Sequence, residues 1–578
     1  VSLAAVAEQR TTAVSIPAPL GGINALDSLV GMSPNEAIRI YNYIPREYGL
    51  EVRPGYDEVA HGFTAASTQV RTIIPFHGTV EAGTQDYLFA ATQEGIYNIT
   101  TPIAQESDGY DLTPATALTF TTKTGNAGYC SYTTFTTPGG KYLLVCDEVN
   151  GLYIFDPSAP AGVYWRKITR GTSAYPGASP LACIQEDATV TTQIDPTKFV
   201  YVTVWKNRVW FIERDSSYVW YLPVSQFVTG ASAAAKLIQF GNKFRQGGFM
   251  STLHNYTLDA GSGIDDYLVG VSSMGDVVVY QGFDPDAITS DPASFNLVGV
   301  WTIGKVPKGR RYACESGGDL YLLCSYGVLS VGQLLKGIDP GVRPAYITGK
   351  ITNYLYQDLV AKINQVGWQL TNFESLGIII ISVPKTEVGG VYGQYIMSTS
   401  TRAWAQWTGV PMRCMAVWKD SLYIGTDERI SGKKGGVYKL TGHSDDEQTE
   451  QSGERITSLI LMSYQGGESA GANKRIHFIR PYFLSRDRPL FKVRARYDFD
   501  IDDYLEVVSG YVDPPNYSIW GTATWGDAQW GEGSNFPYSK LAGAAGMGKF
   551  LSIALHTTTH SQTSLVGFVA MVDQGGLL

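Results

Sequence analysis

Hydrophobic positions along this chain come in short bursts. Tyr, Val, Ile, Thr and Trp gather in brief runs, and Gly, Pro, Asn or Asp closes each one. Such runs, bounded by turn formers, predict strands. One unit recurs: a β-rich segment of about six residues, a turn, and a second short strand that often opens on Gly. It is YLFAAT at Tyr87 with GIYNI at Gly95, KYLLVC at Lys141 with GLYIF at Gly151, and NRVWFI at Asn207 with YVWYL at Tyr218. It returns as YLVGVS at Tyr267 with DVVVY at Asp276, and as DLYLLC at Asp319 with GVLSV at Gly327. The last two are GIIIISV at Gly377 with GQYIM at Gly393, and SLYIGT at Ser421 with GVYKL at Gly436.

Successive units start 54, 66, 60, 52, 58 and 44 residues apart. That is the repeat length of a four-stranded propeller blade with loop insertions. Strands with small residues, Cys or Met precede several hairpins: RTIIPF at Arg71, AGYCSY at Ala127, RYACES at Arg311 and MRCMAVW at Met412. Aromatic strands such as VYWRKI at Val163, LVGVWTI at Leu297 and RAWAQW at Arg402 supply further members. A sandwich or several small β domains is the alternative, but near-regular spacing favours a ring, which also removes exposed sheet edges. Leu355, Leu359 and Ile363 recur with helical spacing and predict one helix interrupting the sixth repeat.

The pattern changes at His443. GHSDDEQTEQSGE holds no large apolar residue and reads as a linker. Beyond it ITSLILMSY, IHFIRPYFL, LFKVRARYDF, YLEVVSGYV, KFLSIALHT and TSLVGFVAMV are longer strands without the earlier spacing. The expected fold is all-β: a β-propeller of about seven blades, six or eight if one repeat is irregular, plus a β-sandwich platform domain. The expected divisions are an N-terminal arm at 1–65 packing on the platform, the propeller at 66–442, a linker at 443–455 and the platform at 456–578.

Composition agrees with at least two domains: the chain has 578 residues, 44% of them hydrophobic and 12% aromatic. A net charge of −9 argues against a surface that grips nucleic acid throughout. The six cysteines form no C-x-x-C pair and read as buried free thiols of a protein made in reducing cytosol. The opening VSLAAVAEQRTTAVSI lacks the unbroken apolar stretch of a signal peptide, so synthesis without secretion is expected. No run approaches the ~18 apolar residues of a membrane helix.

Motifs with chemical meaning fail on context. Gly467-Glu-Ser469-Ala-Gly471 matches a nucleophile elbow, yet it leads from strand to strand and not into a helix. Gly543 to Lys549 satisfies most of a P-loop, but Phe550 stands where Ser or Thr should hold magnesium, and a strand follows. Asp498, Asp500 and Asp502, with Asp503 and Glu506, lack the glycine and spacing of an EF-hand and read as a solvated acidic edge on a strand. Arg480, Arg486, Arg488, Arg494 and Arg496 belong to the densest basic stretch, Lys474 to Arg496. Neighbouring basic and acidic stripes are suited to fix register between subunits. The seven histidines show no metal-ligand spacing. No enzyme, metal site or cofactor is expected.

One segment carries a resemblance. Pro17 to Tyr56, PAPLGGINALDSLVGMSPNEAIRIYNYIPREYGLEVRPGY, resembles the opening of a family of tail nozzle proteins of short-tailed bacteriophages (podoviruses). The shared features fall on Gly21, Gly22, Asp27, Met32, Pro34, Ala37, Asn42, Pro45, Arg46, Arg53, Gly55 and Tyr56. Tyr43-Ile44 stands where the family more often has an aromatic pair. The likeness continues through YLFAATQEGIYNIT and, more loosely, TATWGDAQWGEG. It implies a structural virion protein: a homohexamer at the distal tail, made in the host cytoplasm, held by a tail adaptor protein and touching tail fibres or spikes. Phage double-stranded DNA would pass during ejection without sequence-specific binding, and the host cell surface would be within reach. A receptor-binding or fibre-anchoring propeller is the alternative, and a polysaccharide-degrading enzyme a weaker one.

Overall fold

The computed structural model describes residues 11–60, 63, 69–78, 85–100, 114–160, 162–171, 183–224, 233–259, 264–287, 294–341, 346–385, 393–426, 436–445, 454–467, 471–508 and 536–574. The chain is mostly β, with small antiparallel sheets in a propeller-like arrangement. Each sheet is a meander whose strands pair in sequence order. The first joins Thr72–Phe76, Tyr87–Ala91, Gly95–Asn98 and Ala115–Thr119. The next joins Cys130–Thr137, Gly140–Asp147, Gly151–Phe155 and Trp165–Lys167. Phe199–Trp205, Arg208–Glu213, Tyr218–Tyr221 and Ala233–Gln239 follow, with Cys183–Glu186 added in parallel on the outside. Met250–Asp259 through Phe295–Thr302 form another, Ala313–Ser316 through Gly327–Ser330 a three-stranded one, and Gln369–Phe373 through Trp404–Thr408 the next. Before this last one runs the helix Thr352–Lys362, burying Leu355 and Leu359.

Burial explains why the strands read as unbroken apolar runs. In Gly140–Asp147, Leu143 and Val145 pack with Phe89 and Ile74 of the preceding sheet, while Leu144 and Cys146 pack with Phe199 and Phe211 of the following one. The same alternation splits Ile378 and Ile380 from Ile379 and Ile381. Successive side chains of a strand point to opposite faces, so a sheet covered on both sides must be apolar at every position.

The final meander, Cys414–Trp418, Ser421–Gly425 and Val437–Leu440, takes its fourth strand from far upstream: Tyr56–Ala60 pairs antiparallel with Val437–Leu440. Cys414–Trp418 in turn lies beside Thr72–Phe76 of the first sheet. Ala60, Val70, Ile73, Leu88, Cys414 and Ala416 share one core there. The arm expected to run to residue 65 therefore gives its last strand to the sheets it was expected only to precede.

Both chain ends build two further sheets. In one, Lys474–Ser485 pairs with Thr563–Gln574 and Phe536–Ser539, and Thr563–Gln574 also pairs with Thr12–Pro17 and Leu50–Val52. In the other, Glu454–Met462 lies between Ala37–Tyr41 and Leu551–Thr559, Leu490–Tyr497 pairs beyond, and Tyr41 pairs with Gln406, so this sheet is continuous with the 369–408 meander. Ile460, Ile553 and Leu555 of the second sheet share a core with Ile479, Phe483, Leu565 and Phe568 of the first. Of the expected linker at 443–455, Ser444–Asp445 is a short strand pairing with Glu454 and Arg455 and with Tyr56, and residues 446–453 lie outside the described ones. The Trp-rich TATWGDAQWGEG also lies outside them.

The crossing at Ser444 fixes Gly55 by sterics: a Cβ there would sit 1.8 Å from the Ser444 carbonyl oxygen. Gly55→Ala must push the Tyr56–Ala60 strand off its neighbours, at a cost of about 3 kcal/mol, the upper range for overpacking. Gly393→Ala, whose Cβ would meet nothing within 4 Å, should be near neutral. Urea denaturation followed by tryptophan fluorescence compares the two.

Candidate functional site

The motif residues gather at the junction between the meanders and the two sheets built from the chain ends. Gly22 has φ +77°, and a Cβ there would lie 2.6 Å from the Trp404 nitrogen. The Ile23 N–H donates to the Trp404 carbonyl, and the Ala37 N–H to that of Gly22. A Cβ on Gly21 would crowd the Asn35 carbonyl at 2.9 Å. Buried Asn24 donates to Asp27 and to Glu36, which also binds Lys350. Pro34 is exposed in the turn that follows, and Pro45 is buried in the strand Tyr43–Pro45.

Asn42 is the hinge of this junction. Its φ of 62° is one that Asn tolerates better than most residues. The Thr408 N–H donates to its side-chain oxygen at 2.8 Å, and its amide donates to the Thr457 carbonyl at 2.7 Å. One side chain thus ties the 369–408 meander to the Glu454–Met462 strand. The Arg53 Nε also donates to Asn42, and the Arg53 guanidinium grips Asp445 through two bonds of 2.7 and 2.5 Å. Arg53 is 2% exposed, so this bidentate pair is shielded from water. Arg46 binds Glu51 and donates to the Leu376 carbonyl.

The charged stripes are not laid out as expected. Asp498 and Phe499 have φ of 47° and 66°, so residues 498–508 turn back in an irregular loop and form no strand. The acidic groups then meet the basic strand of the same chain. Arg494 binds Asp503 and Glu506, Arg496 binds Asp500 and Asp503, and Lys492 binds Glu506. Asp503 is buried beside His556, whose Nε2 lies 3.0 Å from it. Burial alone would raise the Asp503 pKa, but His556 and Arg496 together hold it below the usual carboxylate range. Asp498 instead accepts the backbone N–H groups of Lys549 and Phe550, donors that a phosphate loop would leave open. A strand, Leu551–Thr559, follows that loop, and Ser469 lies outside the described residues. Arg480 is half-buried on Lys474–Ser485, Asp502 is exposed, and Arg486 and Arg488 are exposed just past that strand.

The sequence reading missed a third feature. The first strands of the meanders surround a cavity of about 900 Å³, lined by Thr72, Cys130, Tyr201, His254, Arg311, Gln369 and Met415 among others. Arg71, Arg311 and Arg413, each at the entry to a first strand, have their guanidinium carbons 5.3, 5.8 and 6.0 Å from the centre of the Tyr129 ring. Arg311 donates to the Arg71 carbonyl at 2.8 Å and to the Thr72 hydroxyl, reaching residues some 240 positions away. The signal was present in RTIIPF, RYACES and MRCMAVW, where Arg recurs at the strand entry. Burial holds the His254 pKa down to about 4, so the imidazole is neutral at physiological pH. The cysteines are free thiols, and among the described residues no group of three or more His, Cys, Asp or Glu is arranged to hold a metal ion.

No family model matches the chain, and no curated protein is similar to it. Among solved structures, a chain from the crystal structure of BBS1N in complex with ARL6DN, soaked with lead, aligns with 68% of this chain and 99% of its own length. At 8% identity and a TM-score of 0.32, that superposition carries no statement about function.

Two outcomes follow from the buried charges. Arg53→Ala strands Asp445 beside a shielded junction and should cost about 3–5 kcal/mol, as for other broken buried pairs. The depressed Asp503 pKa stabilises the fold above the unfolded-state value of about 3.9, and that stability is lost as pH falls through the lower folded-state value. Asp503→Asn should therefore flatten the acid limb of a stability-against-pH curve below about pH 4. An unchanged acid limb would assign it to other carboxylates.

Proposed function

We propose that the chain is a structural virion protein, the tail nozzle subunit of a short-tailed bacteriophage. In this reading the meanders are seven blades of a closed propeller, and the two sheets built from both chain ends are the platform that joins subunits to one another and to the tail adaptor. The carrying observation is where the resemblance falls: Gly22, Asn42, Arg46, Arg53 and Gly55 are the residues that lock meanders and end sheets together. A motif spent on that junction suits a protein whose two parts must hold a fixed angle under load.

Two features support the finer points. Contacts between neighbouring sheets run from Thr72–Phe76 through the series, passing from Met250–Asp259 to the second strand Asp319–Cys324, and back from Cys414–Trp418, as a closed ring requires. Arg311 spans the centre, so duplex DNA would not thread a propeller and the conduit would run between copies. The wall need not grip DNA, which fits a net charge of −9, because each phosphate contact would slow transit. Since the acidic and basic stripes satisfy each other within one chain, the proposed subunit contact moves to the outer face of Lys474–Ser485. Phe478 and Tyr482 are exposed there, flanking Arg480, with Arg486 and Arg488 close by.

The full chain at micromolar concentration should give a hexamer by native mass spectrometry. Tyr482→Asp combined with Arg488→Glu should reduce it to monomer without lowering the melting temperature by more than a degree or two. A trimer that binds host cells would favour the receptor-binding alternative, and cleavage of host polysaccharide would revive the enzymatic one.

A further inference from the structure

The axial cavity is cationic in an acidic protein. Five cationic side chains and three carboxylates line it, whereas the whole chain carries a net charge of −9. The excess has a structural origin. Antiparallel meanders bring the crossings between sheets and the middle hairpin turns to one end, so Lys305, Lys308 and Arg310, all on one crossing, face the turn holding Arg214. Behind them Arg71 and Arg413 flank Tyr129.

Much of this charge lacks a carboxylate partner. Arg310 binds Glu148 at 2.6 Å, but Arg311 is held by backbone carbonyls and the Thr72 hydroxyl. Arg71, behind the wall, donates to the Gly125 and Ala127 carbonyls and to Gln93. His254 also lies on the cavity wall, kept neutral by burial. Tyr201 and Trp368 add aromatic surface to the wall.

We infer that the axial cavity is a binding site for a small oxyanion ligand, a molecule bearing phosphate or carboxylate groups and no larger than a disaccharide or mononucleotide. Lys305 and Lys308 at the rim draw the anion in, Arg310 and Arg311 meet its charge, and His254 supplies a neutral hydrogen-bonding group. The volume lies within the range of small-molecule pockets. Aromatic walls beside guanidinium groups suit a sugar ring with charged substituents. The site goes beyond the nozzle reading and stands whether or not the chain forms a conduit.

Isothermal titration of the full-length protein with pyrophosphate, and separately with digalacturonate, tests this and distinguishes the phosphate from the carboxylate source. At least one probe should bind one per chain with a dissociation constant of about 1 mM or tighter, an ordinary affinity for a small ligand. Lys305→Glu combined with Lys308→Glu, both exposed and cheap to change, should weaken binding tenfold or more with an unaltered melting temperature of the free protein. His254→Phe should weaken it several-fold. Lys540→Glu, exposed just past the remote strand Phe536–Ser539, should leave it unchanged. No binding of either probe to the wild type would overturn the assignment. So would equal weakening by Lys540→Glu and the rim pair, which would reduce the effect to diffuse surface charge.

Discussion

Strands buried on both faces set the terms for this fold. A sheet with one apolar face can be finished by water on the other, but a strand such as Ile378–Val383, buried at every position, needs a neighbour on each side. A row of such sheets never ends unless its first member covers its last. Here Cys414, Ala416 and Trp418 pack with Ile73, Leu88 and Ala90, so the last sheet meets the first. The strand Tyr56–Ala60 completes that last sheet from upstream, which ties the closure to the segment carrying the junction motif.

Polar groups then do the work that packing cannot. Asn42, Arg53 and Asp445 form a hydrogen-bonded cluster at the point where backbone from the meanders, the N-terminal segment and the Glu454–Met462 strand converges. Apolar contacts would hold these parts together without fixing their angle, whereas directional bonds to Thr408 and Thr457 select one. Asp503 plays a similar part within the second of the end sheets, gathering Arg494, Arg496 and His556.

Repetition was the legible part of the sequence. Continuous apolar runs at near-constant spacing pointed to β meanders because double burial leaves that signature in each strand, and the helix at Thr352–Lys362 showed through its own period. What escaped was anything set by contacts across the fold. Tyr56–Ala60 looked like part of an arm because its partner lies some 380 residues away. Asp498 to Glu506 looked like a strand because alternation survived in the letters, while the positive φ of Asp498 and Phe499 is dictated by the bonds Asp498 takes from Lys549 and Phe550. The axial arginines sat in plain view at the heads of strands, but only radial convergence turns residues 71, 311 and 413 into one cluster.

The ring on which the rest depends is tested most directly by a double-mutant cycle between Tyr129 and Arg311, residues far apart in sequence and in contact only across the centre. Stability of the wild type, Tyr129→Ala, Arg311→Ala and the double variant is measured by denaturant titration. A closed ring predicts a coupling of at least about 0.5 kcal/mol, as for a cation over an aromatic ring. Additive effects, with no coupling beyond error, would mean the two do not meet and the sheets do not close around a common axis.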